Sequence, residues 1–124
     1  METRKILIID DEADIRAVAQ LSLEINQGWE VATAASGQEG LLAAQAQVPD
    51  VILLDVMMPD MDGPSTWKQL QANPKTQSVP VIFLTAKVQA AEQRRYAELG
   101  VKAVLMKPFD PVKLGTLIVE ALGW

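Results

Sequence analysis

The chain contains no cysteine and no histidine. Without thiols it forms no disulfide, offers no thiolate nucleophile and builds no cysteine-ligated metal site. Without imidazoles it has no histidine general base, no His-type zinc site and no histidine of its own for a phosphorelay step. Covalent chemistry is left to carboxylates, hydroxyls and lysines. Aromatic residues are scarce at 5%, and Trp29, Trp67 and Trp124 stand far apart in the chain. That spacing suggests core or surface packing and no cofactor stack.

Long apolar runs are missing as well. The longest are only a few residues, such as Val51-Ile52-Leu53-Leu54, far short of the roughly 20 that a spanning helix needs. Arg4 and Lys5 lead into Ile6 to Ile9, but Asp10, Asp11 and Glu12 end that run too early for a secretory signal. Positive charge is outnumbered, with 11 Lys and Arg against 16 Asp and Glu, a net charge of −5. An acidic surface disfavours direct binding to nucleic-acid phosphates and to anionic membranes. The expectation is a cytoplasmic protein that touches neither.

At 124 residues, the length suits a single domain spanning 1–124. Four short runs rich in Ile, Val and Leu recur at Ile6 to Ile9, Val51 to Leu54, Val81 to Leu84 and Ala103 to Met106. They are too short for helices and read as strands covered on both faces. Glu30 to Ala34 alternates instead and reads as a half-exposed edge strand. Helical patterns fill the gaps. Asp14 to Gln27 carries Ile15, Val18, Ala19, Ser22 and Ile25 at helical spacing, with Gly28 as its stop. Ser36 and Glu39 have capping-box spacing and open a helix through about Gln47. Gly63 to Ala72 and Val88 to Leu99 follow, and Asp110-Pro111 supply an N-cap and first-turn proline for a last helix ending near Gly123. Five strand-then-helix units predict an α/β fold, a parallel sheet with helices on both faces.

Ligands of open α/β sheets bind outside the carboxyl ends of the strands. Asp10 and Asp11 follow the first strand, Asp55 ends the third, Thr85 ends the fourth and Lys107 follows the fifth. Each has an ordinary reading alone: acids suit a helix start, Asp55 suits a turn, Thr85 suits a strand end. Together they are harder to dismiss. Two carboxylates about 4 Å apart repel by roughly 4 kcal/mol at an effective dielectric near 20, so three of them call for a cation. All-oxygen ligands suit Mg²⁺. Phosphoryl transfer needs an oxygen nucleophile and positive charge around the equatorial oxygens. Asp55 can be that nucleophile, with Mg²⁺, Lys107 and the Thr85 hydroxyl sharing the phosphoryl oxygens. In Met57-Met58-Pro59-Asp60-Met61-Asp62-Gly63, the methionines read as gap-fillers under a loop.

These residues resemble the receiver domains of two-component response regulators over essentially the whole chain. The matching elements are Asp10-Asp11, Leu54-Asp55 with Met58-Pro59 and Asp62-Gly63, Thr85-Ala86, and Lys107-Pro108-Phe109. The resemblance implies a five-stranded parallel sheet in the flavodoxin-like order 2-1-3-4-5. It implies Asp55 as phosphoacceptor, with Mg²⁺ held directly by Asp11, through water by Asp10, and by the Met57 carbonyl. It also implies Lys107 on the phosphoryl group and a cis Lys107-Pro108 peptide. Its implied donor is a sensor histidine kinase or histidine phosphotransfer protein, and its output a downstream protein target reached by protein contacts. On that reading the chain is a switch and no turnover enzyme. Where receivers often carry Tyr or Phe three residues before the lysine, this sequence has Val104, so an aromatic rotamer switch is not expected. Met57 and Lys87 occupy positions that influence phosphoryl lifetime in the family. Two rivals are a phosphatase of the haloacid-dehalogenase type and a receiver-like interaction domain without phosphate. The former usually carries Asp-x-Asp after its first strand, where this chain has Asp-Asp.

Overall fold

A computed structural model describes residues 3–86 and 89–124. Five strands, β1 (Lys5–Ile9), β2 (Glu30–Ala34), β3 (Val51–Asp55), β4 (Val81–Thr85) and β5 (Ala103–Met106), alternate with five helices. The helices are α1 (Ala13–Gln27), α2 (Gly37–Ala46), α3 (Gly63–Ala72), α4 (Ala90–Leu99) and α5 (Leu114–Leu122). All strand pairs are parallel, and the sheet order is β2-β1-β3-β4-β5. This is the order the resemblance implied. It puts β1 and β3 side by side at the centre, so the acids at their carboxyl ends are neighbours.

The period-2 geometry of a strand sends alternate side chains to opposite faces. Ile6, Ile8, Val51, Leu53, Ile82 and Leu84 pack with Ala19 and Leu23 of α1 and with Leu114 and Ile118 of α5. Leu7, Ile9, Ile52, Leu54 and Phe83 pack on the other face with Leu41 of α2, Leu70 of α3 and Tyr96 of α4. Strands β3 and β4 are buried along their whole length, while β2 is a largely exposed edge. The Ser36 hydroxyl accepts from the Glu39 N–H at the start of α2, and the Asp62 carboxylate from the Ser65 N–H at the start of α3. Gly28, at a φ of 68°, closes α1 in the left-handed region that favours glycine.

The structure shifts one helix start and fills in detail that the sequence left open. Helix α5 begins at Leu114, not at Pro111. Asp110 accepts from the Val112 N–H through its side chain and from the Lys113 N–H through its carbonyl, forming a separate turn before the helix. The Ser22 hydroxyl of α1 donates to the Pro111 carbonyl and ties that turn down. Helix α1 buries Ala19, Ser22 and Leu23, leaving Val18 and Ile25 exposed. Trp29 and Trp124, far apart in sequence, meet edge to face at 5.5 Å, with the Arg4 guanidinium 4.3 Å from the Trp124 ring centre. Of the loop methionines, Met58 is buried and Met61 packs against the core, whereas Met57 is exposed. The predicted start of α4 at Val88, like Lys87, lies outside the described residues.

Candidate functional site

The sheet brings Asp10, Asp55, Thr85 and Lys107 to one edge because β1, β3, β4 and β5 are adjacent and end together. Asp10, Asp55 and Thr85 are almost wholly buried, while Asp11 is exposed at the mouth. One carboxylate oxygen from each of Asp10, Asp11 and Asp55 lies within 4.8 Å of the others. The Lys107 ammonium sits 2.6 Å from Asp10 Oδ2 and 3.3 Å from Asp55 Oδ1, bridging the two buried acids. The backbone anchors this lysine through its N–H, which donates to the Thr85 carbonyl at 2.9 Å, and the Lys107–Pro108 peptide is cis, as the resemblance implied.

Local hydrogen bonds orient the acids. Asp10 Oδ1 accepts from the Glu12 N–H at 2.9 Å, and the Asp10 carbonyl accepts from the Arg16 guanidinium at 2.8 Å. Asp55 Oδ1 accepts from the Met57 N–H at 3.2 Å. Burial, then the nearby Asp10 charge, push the Asp55 carboxyl up to about 7, although Lys107 pulls the other way. Burial works against the Lys107 ammonium, yet its close pairing with Asp10 and the charge of Asp55 outweigh this and raise its pKa. The site therefore carries an excess of negative charge that one lysine only partly offsets.

A divalent cation fits this arrangement. Buried Asp10 Oδ2 meets Lys107 as an ion pair but has no well-directed hydrogen-bond donor. The three clustered groups present oxygen alone, which suits a hard ion such as Mg²⁺.

Two contributors were not visible as site residues in the sequence. Glu12 Oε1 lies 3.5 Å from Lys107 Nζ, a contact only the fold could reveal. Gly63 folds the loop after β3 back onto the strand end, its N–H donating to the Val56 carbonyl at 2.8 Å. A Cβ there would stand 2.8 Å from both the Asp55 carbonyl oxygen and Val56 Cα. Because backbone is in the way, Gly63→Ala should cost about 1–3 kcal/mol of stability and shift the Asp55 loop. Urea unfolding and the amide shifts of residues 55–57 would check this.

The sequence matches the family model of the response regulator receiver domain over residues 6–119. The chain belongs to the response regulator receiver domain family. This receiver domain is 40% identical over 119 residues to the alkaline phosphatase synthesis transcriptional regulatory protein PhoP of Bacillus subtilis (strain 168), covering 96% of the chain and 48% of that protein. It is 38% identical over 121 residues to the probable transcriptional regulator ycf27 of Pyropia yezoensis, covering 98% and 48%. The chain thus spans about half the length of these curated relatives. Among solved structures, it superposes on the chemotaxis protein CheY4 of Vibrio cholerae with a TM-score of 0.89 at 32% identity, covering 97% of this chain and 99% of that one. It also resembles the receiver domain of a sensor histidine kinase from Pseudomonas aeruginosa PAO1, with a TM-score of 0.86, 27% identity and coverage of 99% and 100%. That structure has a magnesium ion coordinated in its active-site cleft.

Proposed function

We propose that this receiver domain accepts a phosphoryl group on Asp55 from a partner's phosphohistidine and so acts as a signalling switch. The observation that carries the reading is the buried Asp10–Lys107–Asp55 ion-pair chain, with Asp11 completing a three-carboxylate cluster. In the transfer, the donor's P–N bond breaks and a P–O bond forms to an Asp55 carboxylate oxygen. The donor imidazole, protonated on its other ring nitrogen, keeps the P–N electron pair and leaves as a neutral base, and the Asp55 carboxylate attacks in its ionised form. Asp10, Asp11, Asp55 and the Met57 carbonyl would hold Mg²⁺, which supplies positive charge to the phosphoryl oxygens and keeps Asp55 ionised. Lys107 would leave its pairing with Asp55 to contact the phosphoryl group, and the Thr85 hydroxyl would be drawn toward the same oxygens. The modification adds about −1.5 to −2 charges at this edge, biasing the α4–β5–α5 surface. Val104 is only partly buried and pairs in register with Phe83, so the change runs through backbone and other side chains. Output goes to a downstream protein through that surface.

Intact mass after incubation with acetyl phosphate tests the reading. One added phosphoryl group is expected, dependent on Mg²⁺ and absent in Asp55→Asn. An equal adduct in the variant would sink the assignment, and steady turnover of a phosphomonoester would favour the phosphatase instead.

The donor also needs somewhere to sit. Val18, Leu21 and Ile25 of α1 and Val112 beyond β5 are exposed by 43%, 59%, 70% and 75%, and they line one shallow cavity. Helix α1 starts and the loop after β5 departs at the sheet edge that carries Asp55, so the Val18 end of this apolar face is the part nearest the site. An apolar helix face bearing the phosphohistidine is the occupant that fits. Val18→Asp should slow transfer from a phosphorylated histidine phosphotransfer protein about tenfold or more. Phosphorylation by acetyl phosphate should be unchanged, as should the unfolding midpoint.

A further inference from the structure

A second cleft, of about 470 Å³, opens on the far side of the loop that follows Asp55. One wall is Met57, Met58 and Pro59, another is Pro64 at the start of α3, and Glu92 and Tyr96 of α4 close it. This volume falls within the range of small-molecule sites, and the lining has their usual character, mostly apolar with a few polar groups. Tyr96 makes a firm floor: it is buried and stands edge to face on Phe83 at 5.2 Å. Glu92 is the anomaly. Its Oε2 is buried and has no hydrogen-bond partner.

A carboxylate oxygen shut away without a donor is costly, and such a group calls for an explanation. Helix α4 gives Glu92 no ion pair among the described residues. Arg95, one turn on, directs its guanidinium over the Tyr96 ring at 6.0 Å. The residue is only partly buried and already lines the cleft, so its flexible side chain can present the carboxylate to a guest there. Asp62 adds a second carboxylate to the lining, while Arg95 is its single cation. The balance favours a positively charged guest.

We propose that this cleft binds a small organic cation, an apolar or aromatic body carrying an amidinium, guanidinium or ammonium group, with Glu92 as its anionic partner. The apolar body rests against Met58, Pro59 and Tyr96, and the charged nitrogen supplies the donor that Oε2 lacks. Such a guest also touches Met57, whose N–H donates to Asp55 Oδ1, so occupancy is felt at the carboxylate cluster. Binding itself does not depend on Asp55 being a phosphoacceptor.

The test is an NMR titration of the ¹⁵N-labelled chain with benzamidine, and separately with its neutral relative benzamide. Benzamidine should give saturable amide shifts centred on residues 57–59 and 92–96, and benzamide should not. Glu92→Gln should weaken benzamidine roughly tenfold, the scale of one charge-assisted hydrogen bond. Arg95→Ala, which removes an exposed like charge, should tighten it by roughly twofold. No saturable shift there, equal response to benzamide, or undiminished binding to Glu92→Gln would each overturn the proposal. So would a response confined to an arginine-bearing peptide, which would make the cleft a protein-docking surface. These readouts use unphosphorylated protein, so their failure is separable from failure of the Asp55 assignment.

Discussion

At pH 8, Asp55→Asn should raise the free energy of unfolding by about 2–4 kcal/mol, whereas at pH 4 the gain should be under about 1 kcal/mol. The reason lies in where Asp55 titrates. Its carboxyl is raised from 3.8 to about 7, because burial and the Asp10 charge both oppose ionisation more than Lys107 assists it. Between roughly pH 4 and pH 7 the folded protein holds a proton at Asp55 that the unfolded chain has released. The unfolded state thus binds fewer protons, and stability falls as pH rises through that window. Above pH 7 the full cost of a charged, crowded carboxylate is present. At about 1.36 kcal/mol per pH unit, the rise caps that cost near 4 kcal/mol. Asparagine keeps the shape and never ionises, so it removes the penalty wherever the penalty exists. Urea unfolding of both proteins across this range measures the gap directly. Saturating Mg²⁺ should then narrow the gap at pH 8, since a cation among the three carboxylates stabilises the charged form of the wild-type site. A gap independent of pH would mean that Asp55 is not the group responsible.

That instability is the counterpart of function. A site that held its acids comfortably would gain little from a divalent cation. Crowding Asp10 and Asp55 behind one lysine leaves a deficit of positive charge, and it is this deficit that favours a cation beside them.

Much of this was readable in the sequence, for physical reasons that also mark where reading fails. Strands β1, β3 and β4 announce themselves because both faces of a central strand are covered, so apolar residues run unbroken. Strand β5, read the same way, is an edge strand that is only partly buried and leaves Met106 exposed. Asp10, Asp55, Thr85 and Lys107 were legible as a set because parallel strands all end on one edge. The sheet order was not deducible from alternation alone, and it entered through the family resemblance. The helical spacing of Ile15, Val18, Ala19, Ser22 and Ile25 marked α1 but did not say which of its residues face the core. Ala19, Ser22 and Leu23 do, while Val18, Leu21 and Ile25 face outward, because periodicity does not distinguish a core stripe from an exposed one. Asp110-Pro111 carries every signal of a helix start, yet the side chain closes a turn of its own first. The parts played by Gly63 and Glu12, and the orphaned oxygen of Glu92, depend on distances between segments remote in sequence.

Lys107→Ala should cost about 3–5 kcal/mol of stability at pH 8 without Mg²⁺, and less at pH 4. The side chain is only 10% exposed, and its ammonium is the cation shared by Asp10 and Asp55. Removing it strands two buried carboxylates, and Asp55 must take up its proton at still higher pH, since Lys107 is what lowers its pKa. At pH 4 Asp55 is already neutral and the loss is confined to the Asp10 contact. A double-mutant cycle with Asp55→Asn separates these contributions, and the coupling at pH 8 should exceed about 1 kcal/mol. Mg²⁺ should restore part of the lost stability, because it can offset the same carboxylates. It should not restore chemistry. The ammonium would also meet charge developing on the phosphoryl oxygens, and loss of one such preorganised donor typically slows reaction by about 100-fold or more. Acetyl phosphate labelling of the variant, at Mg²⁺ concentrations that recover its folding, distinguishes the two roles. Labelling near the wild-type rate would reduce Lys107 to a structural counter-ion. A large residual defect would give it a direct part in the transfer.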